Sequence, residues 1–194
     1  MARNEMENGR REAGINKRIG FPIWIFNLIK MNLPPYQKFP ELISDTIVLR
    51  NIQQDDIADL VEISFYNARP ASTTEDAAEM QNKINLDYQN GSSIHWGIAD
   101  KKTNKILGTL GYYRGFENGV GELGCVLKPE FRGNGLMTAA IQLAVEFGIN
   151  EMGLTKIGAV TSKENAPAIQ LLERLNFIKT KDLDDDEIEY LFVK

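Results

Sequence analysis

Past residue 38, two hydrophobic periods alternate along the chain. Thr46-Ile47-Val48-Leu49-Arg50 reads as a first strand. Asp55 or Asp56 can cap a helix on which Ile57, Leu60, Val61 and Phe65 recur at helical spacing. Ser72-Thr73-Thr74-Glu75 offers a second cap, followed by a stripe of Ala77, Met80, Ile84 and Tyr88 that ends at Gly91. Ile94 to Ala99, Ile106 to Phe116 and Gly119 to Leu127 then carry strand character, broken at Asp100–Asn104 and at Glu117-Asn118-Gly119. The tight second break predicts an antiparallel hairpin. Gly135 to Met152 is a long helical pattern with Leu136, Ala140, Leu143, Ala144 and Phe147 on one face. A short strand from Lys156 to Val160 and a helix from Ala166 to Leu175 follow. The last strands begin at Phe177 and Ile188, on either side of an acidic turn, Asp182 to Glu187. Two helices, an antiparallel meander and then strand–helix–strand–helix predict an α/β chain with one mixed sheet and helices packed on it.

Residues 1–31 break from this pattern. A polar stretch precedes an apolar run, Ile19 to Ile29, too short for the about 20 residues a bilayer span needs, so no transmembrane span is expected. Lys30-Met31-Asn32-Leu33-Pro34-Pro35 follows where a signal peptide would place small residues, so secretion is not expected either. The run reads as a helix that packs on the domain or on a partner subunit, which makes a homodimer a candidate assembly. Attachment to a membrane surface is the alternative. Met31 is a second candidate start. Pro34, Pro35 and Pro40 mark a linker, which divides the chain into an extension, 1–38, and a domain, 39–194.

Composition narrows the partners. A net charge of −5 argues against direct nucleic-acid binding and suits a cationic one. One cysteine, Cys125, excludes an internal disulfide, and with one histidine, His95, a metal site is not expected. A reducing, cytoplasmic setting fits.

The stretch that organises the rest is Lys128-Pro129-Glu130-Phe131-Arg132-Gly133-Asn134-Gly135-Leu136-Met137-Thr138. The apolar run Leu123 to Leu127 leads in and the long helix leads out. A glycine-rich turn at a helix N-terminus gathers backbone N–H groups where the helix dipole favours an anion, typically phosphate. Glycines let a ligand approach the backbone. The third glycine of a dinucleotide fingerprint is missing, and no lysine follows as in a P-loop.

Arg132-Gly133-Asn134-Gly135-Leu136-Met137 resembles the acetyl-CoA signature [QR]-x-x-G-x-[GA] of the GCN5-related N-acetyltransferase (GNAT) superfamily, with Met137 departing at the last position. Gly121-Glu122-Leu123-Gly124-Cys125-Val126-Leu127-Lys128-Pro129, the Asn165 to Phe177 block and Thr46–Arg50 resemble motifs of its ribosomal-protein N-terminal acetyltransferase-like branch, in the same order. The resemblance covers residues 39–194. It implies a mostly antiparallel twisted sheet with flanking helices, in which the strands Leu123–Leu127 and Lys156–Val160 run parallel and splay apart. It implies acetyl transfer from acetyl-CoA to a primary amine by direct attack, the acceptor being a protein N-terminus or a small molecule.

The resemblance also carries residue roles. Leu127, Arg132, Gly133, Asn134, Gly135, Leu136, Met137, Thr138 and Asn165 would bind coenzyme A, and Glu122 would be the general base, through a water. A structural ion pair is the plainer reading of Glu122, and a helix N-cap that of Asn165. Amines titrate near ~10.4 (lysine) or ~7.7–8.0 (α-amine), so the site must remove a proton before attack. Leu172 and Ala168 stand where relatives carry a tyrosine or serine acid; Tyr112 and Tyr113 are substitutes, although packing is their plainer role. His95 and Trp96 read as packing or surface residues, Cys125 as a packing residue, and the acidic run as a solvated hairpin or a lure for a cationic acceptor. A non-catalytic acyl-CoA-binding module is the competing function. The acceptor pocket is expected from residues 55–89 and the final hairpin.

Overall fold

The structure is a computed structural model that describes residues 31–67 and 69–193. The expectations for the polar stretch and the apolar run before Met31 lie outside these residues. The described chain runs β1 (Leu42–Ile43), β2 (Ile47–Arg50), α1 (Ile57–Leu60), β3 (Phe65–Tyr66), β4 (Arg69–Pro70), α2 (Thr74–Gln89), β5 (Ile94–Asp100), β6 (Ile106–Tyr113), β7 (Val120–Leu127), α3 (Leu136–Asn150), β8 (Lys156–Ser162), α4 (Ala166–Arg174), β9 (Ile178–Asp182) and β10 (Glu187–Val193).

Eight strands form one sheet in the order β1-β2-β5-β6-β7-β8-β10-β9. Every pairing is antiparallel except β7 with β8. That parallel pair registers only at Val120↔Lys156, Gly121↔Ile157 and Glu122↔Gly158, although both strands continue. From Leu123 to Leu127, β7 therefore keeps β6 on one side and, among the described residues, no strand on the other. This is the expected mixed sheet with its splayed pair.

The main core lies under α3, where Trp96, Leu110, Tyr112, Ile141, Ala144 and Ile157 are buried. Tyr112 donates its hydroxyl to the Ala144 carbonyl at 2.7 Å, so this phenol is a core group and not a catalytic one. On the other face, a smaller cluster of Ile52, Ile57, Leu60, Ile63, Ala77 and Ile106 lies under α1 and α2. The proline-marked stretch lies along the body. Asn32 N–H donates to Met152 O (3.0 Å), Tyr36 N–H to the Tyr88 hydroxyl (2.9 Å) and Trp96 Nε1 to Pro40 O (2.9 Å).

One predicted helix is shorter than its apolar pattern. Periodicity carries it to Phe65, but α1 ends at Leu60, a 3-10 turn covers Val61–Ile63, and Phe65 is exposed in a two-residue strand. Ser64 Oγ donates to Leu60 O at 2.9 Å and takes the carbonyl that the next helical turn would use. Asp56 does not cap α1 with its side chain. Its carboxylate accepts from Gln53 N–H (2.7 Å) and from both terminal nitrogens of Arg50 (2.7 and 3.0 Å). Burial opposes ionisation of Asp56, but the hydrogen bonds and charge of Arg50 outweigh it and hold the carboxyl below its usual value. By contrast Thr73 caps α2 as predicted, in a reciprocal box with Asp76. The acidic run is the β9–β10 turn, with Lys163 and Lys179 beside its aspartates.

Candidate active site

The splay between β7 and β8 opens a groove, and the turn before α3 closes one end of it. A cavity of about 580 Å³ there is lined by Cys125–Leu127 on β7, by Arg132, Gly133 and Gly135–Thr138 on the turn and first helical residues, and by Asn165, Pro167, Ala168, Gln170, Leu171 and Arg174. Gly133 and Gly135 have φ of +80° and +75°, which a side chain would strain. Among the described residues a Cβ on either would meet nothing within 4 Å, so both glycines leave open space beside the turn. Gly135 is the N-cap of α3 but supplies no side-chain cap, and the first turn holds no acidic residue. Its leading N–H groups are thus left for an anion. Arg132 and Arg174 are the charged residues lining the groove, both cationic. Arg132 Nε donates to Leu127 O at 3.0 Å, which fixes the guanidinium beside the strand. A diphosphate fits this donor set, and unpaired β7 backbone offers partners to an amide-bearing arm.

Of the residues read from sequence for coenzyme A, all but Asn134 line the groove. The Asn134 amide nitrogen lies 3.4 and 3.2 Å from the carbonyls of Phe131 and Arg132, folded back to shape the turn. Asn165 accepts from Ala168 N–H at 3.3 Å and so does cap α4. That bond uses Oδ1 and leaves the Nδ2 donor. We expect Asn165→Ala to cost about 1 kcal/mol of stability as a lost cap, and also to weaken acetyl-CoA binding roughly tenfold, about 1.4 kcal/mol, by calorimetry. Unchanged affinity with the same stability loss would leave it a cap alone.

Sequence reading missed Pro167, Gln170, Leu171 and Arg174. They fall at i, i+3, i+4 and i+7 on α4, so a search of that helix for a second stripe would have found them. Leu172, at the position of the absent tyrosine, is in the core.

Cys125 and Val126 also line a second cavity, of about 260 Å³, under α1 and α2. Its walls are Ile57, Leu60, Ile63, Ala77, Met80 and Ile84, and its floor is His95, Thr109, Tyr113 and Gly124. The final hairpin, expected to help build an acceptor pocket, does not line it. Gly124 allows the arrangement: a Cβ there would stand 2.9 Å from Tyr113 Cε2, so the ring lies across the glycine and extends toward Cys125. Burial first, and the neighbouring Cys125 second, push the Tyr113 phenol up, so it is a hydrogen-bond donor at neutral pH. Cys125 touches groove solvent, but protein on its other sides pushes the thiol up to about 12, which removes it as a nucleophile. His95 is also buried rather than at the surface, and desolvation lowers its pKa to about 4. Glu122 lines neither cavity; its carboxylate pairs with Arg114, just past the end of β6.

Residues 46–178 match the acetyltransferase (GNAT) domain family. The chain is 29% identical to the uncharacterized N-acetyltransferase YoaA of Bacillus subtilis, over 73% of this chain and 84% of that one. It is 30% identical to an uncharacterized N-acetyltransferase of Bacillus licheniformis, over 75% and 86%. In fold it is similar to a dodecameric spermidine N-acetyltransferase from Vibrio cholerae, with a TM-score of 0.66 at 17% identity, covering 77% of this chain and 95% of that one. The splayed β7–β8 groove, the glycine turn and a family match over more than half its length agree, and the chain belongs to the GNAT acetyltransferase family.

Proposed function

We propose that the protein is an acetyl-CoA-dependent N-acetyltransferase acting on a primary amine. The observation that carries this reading is a pair of cavities that share Cys125 and Val126, one with two arginines and a glycine turn at a helix N-terminus, the other walled by apolar side chains over a polar floor. Coenzyme A supplies the thioester: the amine nitrogen bonds to the acetyl carbon, the carbon–sulfur bond breaks, and the nitrogen's proton is lost. The chain contributes position and polarity. Arg132, Arg174 and the leading N–H groups of α3 hold the diphosphate, Asn165 and the unpaired β7 backbone hold the arm, and the amine waits in the second cavity. Tyr113 acts as a donor to developing negative charge. With its pKa raised it does not give up its proton outright, and a thiol that titrates near ~8.5 leaves as thiolate without an acid.

Glu122 is proposed as the base, through a water, since it shares a sheet face with Tyr113, its cross-strand neighbour. Its pairing with Arg114 supports the plainer structural role, and activity separates the two. We expect acetyl-CoA and a panel of primary amines to release free thiol. Glu122→Gln should lower kcat about 10²-fold as a lost general base, with the rate rising in the variant toward the amine's own pKa. Wild-type activity across pH would remove Glu122 from the chemistry. Acetyl-CoA binding with no amine turned over would replace the transferase with an acyl-CoA-binding module. Spermidine is the acceptor named for a structural neighbour, and it belongs in the panel on that ground.

A further inference from the structure

The acceptor cavity has a chemistry of its own. Among the described residues, the fifteen that line it include no Asp, Glu, Lys or Arg. Its polar groups are Ser64, Gln81, His95, Thr109 and Tyr113, with Cys125 at the junction. Ser64 is committed to Leu60 O. His95 is 9% exposed, and neither ring nitrogen has a hydrogen-bond partner among the described residues. A buried polar group left in this way costs about 1–3 kcal/mol, and natural cores rarely keep one without a reason. Here the ring faces a cavity, 5.5 Å between centroids from the Tyr113 ring. A neutral imidazole offers one acceptor and one donor. It can accept from an amine N–H and does not repel a residual positive charge.

We infer that the acceptor is a small primary amine carried on an uncharged, largely apolar body, seated between the α1–α2 side chains and the His95–Tyr113 floor. The inference rests on the transferase reading for its catalytic consequence and on the cavity alone for its binding consequence. Two magnitudes favour this class. At about 260 Å³ the cavity falls just below the ~300–1,000 Å³ typical of drug-sized ligands, so it suits a small molecule. An uncompensated buried charge costs several kcal/mol. A monoamine avoids this by shedding its proton, and desolvation favours the neutral form that attack requires. A polyamine has further ammonium groups that cannot all be neutral near pH 7, and the described residues that line the cavity include no carboxylate for them.

The test uses the full chain saturated with coenzyme A, titrated with 2-phenylethylamine, with spermidine and with a short peptide bearing a free N-terminus. We expect 2-phenylethylamine to bind at least tenfold tighter than either. Met80→Trp, which fills the cavity, should weaken it at least tenfold and leave coenzyme A affinity unchanged. Met80→Glu, which adds a carboxylate to the wall, should shift preference toward spermidine. Equal or tighter binding of spermidine or the peptide to the wild type overturns the inference, as does 2-phenylethylamine binding that ignores Met80→Trp. Thiol release from acetyl-CoA is read on the same amines. Binding in the expected order without turnover defeats the transferase reading and leaves the inference standing. Turnover of spermidine but not 2-phenylethylamine does the reverse.

Discussion

Asp56→Ala is expected to destabilise the protein by roughly 3 kcal/mol, the lower end of the range for breaking a buried ion pair. Arg50 and Asp56 have side chains only 9% and 12% exposed. Without the carboxylate, Arg50 stays under the surface with a charge it cannot lose, because guanidinium does not deprotonate. Its bonds to Asn104 Oδ1 (2.7 Å) and Asn104 O (3.0 Å) remain, which keeps the loss at the lower end. The midpoint of urea unfolding, with the slope unchanged, measures the effect. Because the folded-state pKa of Asp56 is depressed, its stabilisation is present above the unfolded value near ~3.9 and is lost as pH falls through the folded value. The difference between wild type and variant should therefore shrink in acid. A constant difference would mean that packing, not charge, carries it. The effect should reach the site, since Asp56 directly precedes α1, whose Ile57 and Leu60 wall the cavity proposed for the acceptor. Acceptor KM should rise while acetyl-CoA affinity holds.

This pair shows what the sequence could and could not disclose. The sheet, the long helix and the glycine turn were legible because each rests on local signals: period two, period 3.6, and glycine where φ is positive. One side of the groove was legible for the same reason, because Arg132 to Thr138 lie on one continuous turn and helix start, whereas Pro167, Gln170, Leu171 and Arg174, which α4 adds, were not. Asp56 was misread because local sequence offers it as a cap, whereas Arg50, six residues earlier, takes its carboxylate. Phe65 was misread because apolar spacing says nothing about Ser64 closing the turn. The cavity proposed for the acceptor was the least legible part. Its floor comes from β5, β6 and β7, and the register His95↔Gly111↔Gly124 that lays Tyr113 across a glycine and sets His95 beside it exists only once three strands are paired. His95 and Tyr113 look like ordinary strand residues until then.

Gly135→Val should do most to function and little to the fold. At φ +75° a β-branched residue is strained, and the left-handed conformation costs a non-glycine roughly 1–2 kcal/mol, which sets the scale of the stability loss. The new side chain meets no protein atom near its Cβ, so packing does not add to that cost. The same open space is where a diphosphate would approach the N–H groups of Leu136, Met137 and Thr138. Hydrogen bonds to a charged group contribute about 1.5–3 kcal/mol each. Losing two of them predicts a drop in acetyl-CoA affinity on the order of 10²–10⁴-fold. Gly135→Ala keeps the strain but adds a single methyl, so it should lose stability to a similar extent and much less affinity. Calorimetry with acetyl-CoA beside thermal unfolding of the same samples separates the two quantities. If valine and alanine weaken binding equally, backbone strain alone governs the turn; if neither does, the phosphates lie elsewhere and the groove's assignment falls with them.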